Sequence, residues 1–222
     1  MERENKDMIV NMLYVRSSLE RANESRREME AVNVKLLKQS ETDQMTGLAN
    51  RYRLNAYSEK VLDYCYEHRL PLAMEILDID FFKQYNDNYG HQQGDECIIA
   101  IADELKKMED RQTFCARYGG DEFIIIYAGI SAEEVHAKAG ALRQNIMNLK
   151  LEHLYSKALP IVTISQGISY GVPEEGNRSW DFLHTADMLL YQVKKRSRND
   201  ICIADIRGQE LDLSSKQEKV EP

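Results

Sequence analysis

The sequence contains little that would suit a secreted or membrane-spanning protein. Its four cysteines are far apart, and no two of them form a CxxC pair. No apolar run approaches the roughly 20 residues that a membrane-spanning helix needs, and the polar start MERENKD does not resemble a signal peptide. We therefore expect a cytoplasmic protein without a membrane segment, whose cysteines are reduced thiols, buried or half-buried.

Positive charge is also scarce. The chain has 29 Lys and Arg against 37 Asp and Glu, a net charge of −8. Nonspecific binding of nucleic acid needs a basic face, so no nucleic-acid partner is expected. A nucleotide is not excluded, because a bound metal ion can supply the positive charge that phosphates require.

Residues 1–41 contain neither glycine nor proline and carry apolar residues at helical spacing. The apolar positions follow alternating steps of four and three, the seam of a coiled coil: Met8, Met12, Val15, Leu19, Ala22, Met29 and Leu36. Arg26 and Asn33 interrupt the seam, and polar residues at such positions weaken a coiled coil while fixing its register. We expect a signalling helix that dimerises in parallel. The alternative is a single solvated helix that packs on its own domain.

Residues 42–206 alternate between patterns typical of helices and of strands. Two neighbouring short strands joined by a tight turn, among alternating helices, predict an α+β fold with a central, mostly antiparallel sheet flanked by helices. The predicted helices cover residues 50–68, 91–108, 131–149 and 179–196, and the predicted strands cover 71–79, 113–118, 123–128, 160–170 and 201–205. A loop is expected through Asn86, Asn88 and Gly90, and the polar tail 207–222 is expected to be disordered.

Two carboxylates, Asp78 and Asp80, stand at the end of the first predicted strand. They would point to the same side, because side chains alternate along a strand. Burying a carboxylate is costly unless it is paired or bound to a cation, so these acids suggest a cation site. A solvated strand end would explain them equally well.

A second acidic pair, Asp121 and Glu122, directly follows Gly119 and Gly120. Two glycines allow a tight hairpin with positive φ and let a ligand approach the backbone closely, although a hairpin turn alone would also explain them. If the first strand neighbours this hairpin, Asp78 and Asp121 could converge on one hard cation. Such a site suits Mg²⁺, which takes its remaining ligands from water and substrate phosphates.

Two further segments carry residues that could bind a nucleotide. A carboxamide and a carboxylate, as at Asn86 and Asp95, can together recognise guanine through its N1–H, its amino group and its O6 or N7. Lys194 and Arg198 are four residues apart, the spacing of one helical face, and would suit terminal phosphates. The same residues also fit a simple turn at Asn86 and cations favoured near a helix C-terminus.

Taken together, the segments resemble the GGDEF family of diguanylate cyclases over residues 42–205. The opening DQMTGLANRYRL (43–54), the segment LDIDFFKQYNDNYGHQQGD (77–95), the signature RYGGDEF (117–123) and the closing ADMLLYQVKKRSRN (186–199) stand in the family's order. The resemblance implies a domain akin to nucleotidyl cyclases and polymerase palm domains. It also implies a Mg²⁺-dependent condensation of two GTP molecules into cyclic di-GMP, with Mn²⁺ as a substitute metal.

The resemblance also implies roles for particular residues. Asp78, Asp121 and the carbonyl of Ile79 would bind the metal, and Glu122 would complete the acidic site at a second metal or by activating the nucleophile. The catalytic residues would be Asp121, Glu122 and Lys83, and the substrate would be held by Asn86, Asp95, Gly119, Gly120, Lys194 and Arg198. Each protomer would hold one GTP, so the reaction would need a homodimer. An upstream sensor or partner would act through the N-terminal helix.

The sequence departs from the family in its expected regulation. Many members carry an inhibitory RxxD product site before the signature, but those positions are Asp110 and Thr113 here, with Arg111 out of register. Ser197 replaces a usual glycine, and we interpret the segment Thr163-Ile164-Ser165-Gln166-Gly167 as structural. The rival interpretations are a noncatalytic GTP-binding module, another nucleotidyl cyclase, and a purely structural coiled coil, which would leave everything after Thr42 unexplained.

Overall fold

The computed structural model describes residues 16, 18–24, 26, 27, 29, 30, 32, 41–209 and 211. The chain divides into two compact units, Met1–Glu41 and Thr42–Pro222. The described residues between 16 and 32 are helical, with ion pairs one turn apart at Arg16–Glu20 and Arg26–Glu30. Leu19 of the predicted seam is 60% exposed and Met29 is 65% exposed. The seam positions Met8, Met12, Val15, Asn33 and Leu36 lie outside the described residues.

The second unit contains a five-stranded sheet and five helices within the described residues. In chain order these are α1 (Arg51–His68), β1 (Leu72–Ile79), α2 (Phe82–Tyr89), α3 (His91–Met108), β2 (Thr113–Gly119), β3 (Glu122–Ala128), α4 (Ala132–Asn148), β4 (Ile164–Gly171), α5 (Ser179–Arg196) and β5 (Ile201–Asp205). The strand order is β2-β3-β1-β4-β5. All neighbours are antiparallel except β4 and β5, which are parallel. The predicted α+β fold is confirmed.

A small apolar cluster packs α5 against β5, and two larger clusters hold the helices against the sheet. One includes Leu77 of β1 together with residues of α3 and α4, and the other includes Met74 of β1 together with α1 and Phe182 of α5. Residues an odd number of positions apart on β1 therefore belong to different clusters, as expected for side chains that alternate between the two faces of a sheet. Asp78 shares the Met74 face, which α5 covers. Within the described residues, no helix combines the length and the apolar character needed to cross a membrane.

The structure corrects the expectation of a loop around Asn86. Residues 82–89 form helix α2, which starts after Phe81 and ends at Gly90, where φ is 86°. The Asn and Asp residues of this segment suggested a turn, but Phe82 and Tyr85 are buried and stabilise one short amphipathic helix.

Strand β4 begins at Ile164, later than predicted. The backbone before it pairs with an earlier loop instead, through hydrogen bonds from Val162 N to Leu151 O (2.8 Å) and from His153 N to Pro160 O (3.0 Å). After β5 the chain turns back, and Leu211 N donates to Ile203 O at 3.1 Å. This part of the tail that we expected to be disordered packs on the domain. Residue 210 and residues 212–222 lie outside the described residues.

Candidate active site

The sheet places two of the predicted acids side by side. Asp78, near the end of β1, and Glu122, the first residue of β3, are directly opposite partners in the antiparallel pairing. Asp121 precedes Glu122 in the hairpin turn and is partly exposed. Ile79, the last residue of β1, is buried opposite Ile164. Acids from two separate sequence motifs thus meet where two inner strands of the sheet, β1 and β3, end and begin.

A lysine from α5 completes this acidic centre. Lys194 Nζ lies 2.7 Å from Asp78 Oδ2. Burial raises the pKa of Asp78 to about 6; Lys194 lowers it, and Asp121 and Glu122 raise it. Burial also raises the pKa of Glu122, which Lys194 lowers and nearby acids raise. The carboxylates are partly buried and repel one another, so a second positive charge, in addition to Lys194, would be strongly favoured beside them.

The double-glycine turn beside these acids faces open space. A Cβ added to Gly119 or Gly120 would meet no atom within 4 Å, and Gly120 has a φ of 55°. Arg117 holds the turn by donating to Gly120 O through Nε (3.1 Å) and Nη2 (2.8 Å). Its Nη1 donates to Asp43 Oδ1 at 3.2 Å, which fastens the opening motif to the hairpin.

Arg117 is a residue that our sequence reasoning did not single out. The available signal was a charged residue in a largely apolar strand, two positions before the double glycine. Asp43 also accepts from Thr46 N (2.9 Å) and Thr46 Oγ1 (2.7 Å). The opening and signature motifs are therefore one hydrogen-bonded unit.

The two predicted guanine-binding residues stand on consecutive helices. The side chain of Asn86, on α2, lies so close to Gly94 of α3 that any Cβ there would overlap its amide. Asn86 Oδ1 is buried and has no hydrogen-bond partner among the described residues. Asp95 follows Gly94 directly and is exposed. The unpartnered oxygen is packed against Gly94, where no larger residue could be accommodated without moving it.

The remaining predicted residues lie around the turn that follows β1. Lys83 is exposed on α2. The Arg198 guanidinium stacks over the Phe81 ring, 4.2 Å from its centroid, and its Nη1 lies 3.5 Å from Asp80 Oδ1. Lys194 and Arg198, predicted together, thus contact different acids, Asp78 and Asp80.

The carboxylates fit a cation that is shared with a substrate. In the described part of the chain, no three His, Cys, Asp or Glu side chains are arranged to enclose a metal ion. Asp78 and Glu122 nevertheless supply two neighbouring carboxylates. Mg²⁺ characteristically binds through one or two carboxylates, several waters and substrate phosphates rather than in a cage made wholly of protein.

Fold and site together define an α+β domain with an acidic centre at a glycine turn and basic residues at the end of the helix that packs beside it. The model of the protein family described as diguanylate cyclase, GGDEF domain, matches residues 40–200 of this chain. The chain belongs to the GGDEF-domain family, as the resemblance of its motifs predicted.

Individual relatives agree with this assignment. The chain is 34% identical to the probable diguanylate cyclase DgcC of Escherichia coli K12, over 72% of this chain and 42% of DgcC. It is 33% identical to the diguanylate cyclase DgcP of Pseudomonas aeruginosa, over 84% of this chain and 28% of DgcP. The crystal structure of the coiled coil and GGDEF domain of DgcB from Caulobacter crescentus, in complex with c-di-GMP, matches with a TM-score of 0.68 at 26% identity. The match covers 86% of this chain and 99% of the DgcB chain. The chain spans less than half the length of DgcC and DgcP.

Proposed function

We propose that the chain is a diguanylate cyclase that condenses two GTP molecules into cyclic di-GMP and two pyrophosphates. The observation that carries the proposal is the pairing of Asp78 with Glu122 on adjoining strands, with Lys194 at 2.7 Å from Asp78. This arrangement lies beside the open Gly119-Gly120 turn, which leaves room for a nucleotide.

The acids would hold Mg²⁺. Asp78, Asp121 and Glu122 supply carboxylate oxygens, and Ile79 would add its backbone carbonyl. When bound, the metal lowers the pKa of a substrate hydroxyl and neutralises charge on the leaving pyrophosphate. Mn²⁺ also accepts oxygen ligands and would substitute for it. With a cation beside Asp78, the Lys194 ammonium would be available to a phosphate.

The basic and amide residues would hold GTP. Asn86 and Asp95 would bind guanine, because an amide and an exposed carboxylate on consecutive helices match its acceptors and donors. Lys83, Lys194 and Arg198 would bind the phosphates, each through a charged donor. The backbone at Gly119 and Gly120 would lie against the nucleotide.

The reaction would need two protomers. With one GTP on each, the 3′-oxygen of one nucleotide attacks the α-phosphorus of the other. A bond forms between the 3′-oxygen and the α-phosphorus, and the bond between the α-phosphorus and the oxygen that bridges it to the β-phosphorus breaks. Pyrophosphate leaves with that oxygen, and the hydroxyl proton passes to Glu122 or to water. A second displacement closes the ring. Because each site presents only one GTP, the homodimer brings the reacting atoms together.

The N-terminal helix would bring the protomers together. Leu19, Met29 and Val32 expose 60%, 65% and 55% of their surface, which leaves apolar side chains available for a second copy. The similarity to the coiled coil and GGDEF domain of DgcB supports this pairing. A tethered partner site is present at high effective concentration, and an upstream sensor could act by changing how the helices pair.

The decisive experiment is incubation of the purified protein with GTP and Mg²⁺, with the products separated by chromatography. We expect cyclic di-GMP and pyrophosphate, no product with excess chelator, and recovery with added Mn²⁺. Asp121→Ala should reduce product formation at least about 100-fold. Asp63→Ala, which removes an exposed acid of α1, is the matched control and should retain full activity.

A different outcome would favour the noncatalytic alternative. If the wild-type protein binds GTP and dimerises but forms no product with either metal, the chain is a GTP-binding signalling module. Equal activity of Asp121→Ala and Asp63→Ala would remove the acidic centre from the mechanism.

A further inference from the structure

Asp80 is wholly buried, and both of its carboxylate oxygens are occupied. Oδ2 accepts from Thr163 Oγ1 (2.7 Å) and from Asn199 N (2.9 Å). Oδ1 accepts from Ser165 Oγ (2.7 Å) and lies 3.5 Å from Arg198 Nη1. Unlike Asp78, whose partner is Lys194, Asp80 has no oxygen left for a metal ion. Its partners identify it as a link between β1, β4 and the turn after α5.

This link explains how an unusual turn is maintained. Arg198 and Asn199 have φ values of 55° and 45°, a left-handed conformation that residues other than glycine seldom adopt. Asp80 binds the Asn199 N–H, and Arg143 Nη1 donates to Asn199 O at 2.8 Å. The turn therefore depends on contacts from other elements.

The same contacts fix the guanidinium of Arg198. Phe81, the residue after Asp80, is also left-handed, with a φ of 57°, and its ring lies under Arg198 at 4.2 Å. The Phe81 carbonyl is 3.2 Å from Nε2 of the buried His153. Arg198 thus contacts the Asp80 carboxylate on one side and the Phe81 ring on the other.

We propose that Asp80 is a positioning residue for the triphosphate. By binding the hydroxyls of Thr163 and Ser165 and the amide of Asn199, it holds the turn in which Arg198 faces the nucleotide phosphates. The inference rests on the proposed function, in which Arg198 binds phosphate. It also gives the Thr163 and Ser165 hydroxyls a role in substrate binding, beyond packing of the strand.

The test compares ligands that differ only in their phosphates. We would measure the affinity of 3′-deoxy-GTP, which cannot react, and of 3′-deoxy-GMP by calorimetry with Mg²⁺ present. Asp80→Asn should weaken the triphosphate about tenfold and the monophosphate less than about twofold, the loss expected for one misplaced charge-assisted contact. Ser165→Ala, a milder change that keeps the carboxylate, should shift affinity in the same direction. Ser169→Ala removes another buried hydroxyl of β4, one that donates to Met74 O, and should change neither affinity.

Each outcome decides a separate point. Equal losses for both ligands, or equal effects of Ser165→Ala and Ser169→Ala, would show that Asp80 acts only through stability and would overturn the inference. If Asp80→Asn does not fold, Ser165→Ala against Ser169→Ala still decides it. If the wild-type protein binds both ligands equally, the phosphate role of Arg198 in the proposed function fails, whatever the variants do.

Discussion

Replacing the buried Glu75 should remove a large part of the pH dependence of folding. Glu75 lies in the middle of β1, wholly buried. It accepts hydrogen bonds from Tyr127 Oη (2.8 Å) and from Gln166 Nε2 (2.7 Å). Burial raises its pKa from 4.5 to about 7, although the two hydrogen bonds lower it. The change to test is Glu75→Gln, which keeps the shape and removes the charge.

The sign and size of the stability change follow from the linkage between proton binding and folding. Folding raises the pKa of this carboxyl, so the protonated group stabilises the folded state. This stabilisation is complete below the unfolded pKa, near 4.5, and is lost as the pH rises through about 7. Since one pKa unit corresponds to about 1.4 kcal/mol, ionised Glu75 costs the folded state on the order of 3 kcal/mol at pH 8. Glu75→Gln should therefore be close to wild type at pH 4.5 and more stable at pH 8 by about that amount.

Urea unfolding followed by circular dichroism between pH 4.5 and pH 8 measures this difference. Glu67→Gln, at an exposed position of α1, is the matched control and should follow the wild-type curve. If the free energies of unfolding of wild type and Glu75→Gln change in parallel over this range, Glu75 does not titrate in the folded protein near pH 7, and the reasoning is refuted.

Three glycine substitutions test the close approaches in the fold. Gly94→Ala would place a Cβ on the Asn86 amide, so guanine-nucleotide affinity should fall about tenfold, measured by calorimetry. Gly140→Ala is the control: it also lies in a helix, and the nearest contact of the added Cβ is at 4.0 Å, so affinity should stay unchanged and stability should rise by up to about 1 kcal/mol. An equal loss of affinity in both variants would contradict the prediction for Gly94→Ala. Gly167→Ala would drive a Cβ into the backbone of α5 at Leu190 and should cost roughly 3 kcal/mol in urea unfolding, whereas an unchanged midpoint would show that α5 can shift without cost.

Local patterns in the sequence were sufficient for most of the elements. The apolar stretches predicted β1, β2 and β3 to within one or two residues, because a strand buried on both faces is marked by a continuous apolar run. Helix α2 was missed because its Asn and Asp residues favour turns in isolation. Only the burial of Phe82 and Tyr85 against other elements stabilises it as a helix.

The motifs also named the residues of the site, but not their partners. Sequence spacing grouped Lys194 with Arg198, and the structure separates them, since one contacts Asp78 and the other Asp80. Arg117 was not recognised, because its role depends on Asp43, which lies far away in the chain.

The sequence by itself determined which side chains are available and the order in which the motifs occur, because these are properties of the chain. The tertiary structure decided which of them meet. The strand order sets β1 between β3 and β4, so that Asp78 lies opposite Glu122 and Asp80 reaches Thr163 and Ser165. Such contacts join residues that are distant in sequence, and their formation depends on the packing of the whole sheet and its helices rather than on any local preference.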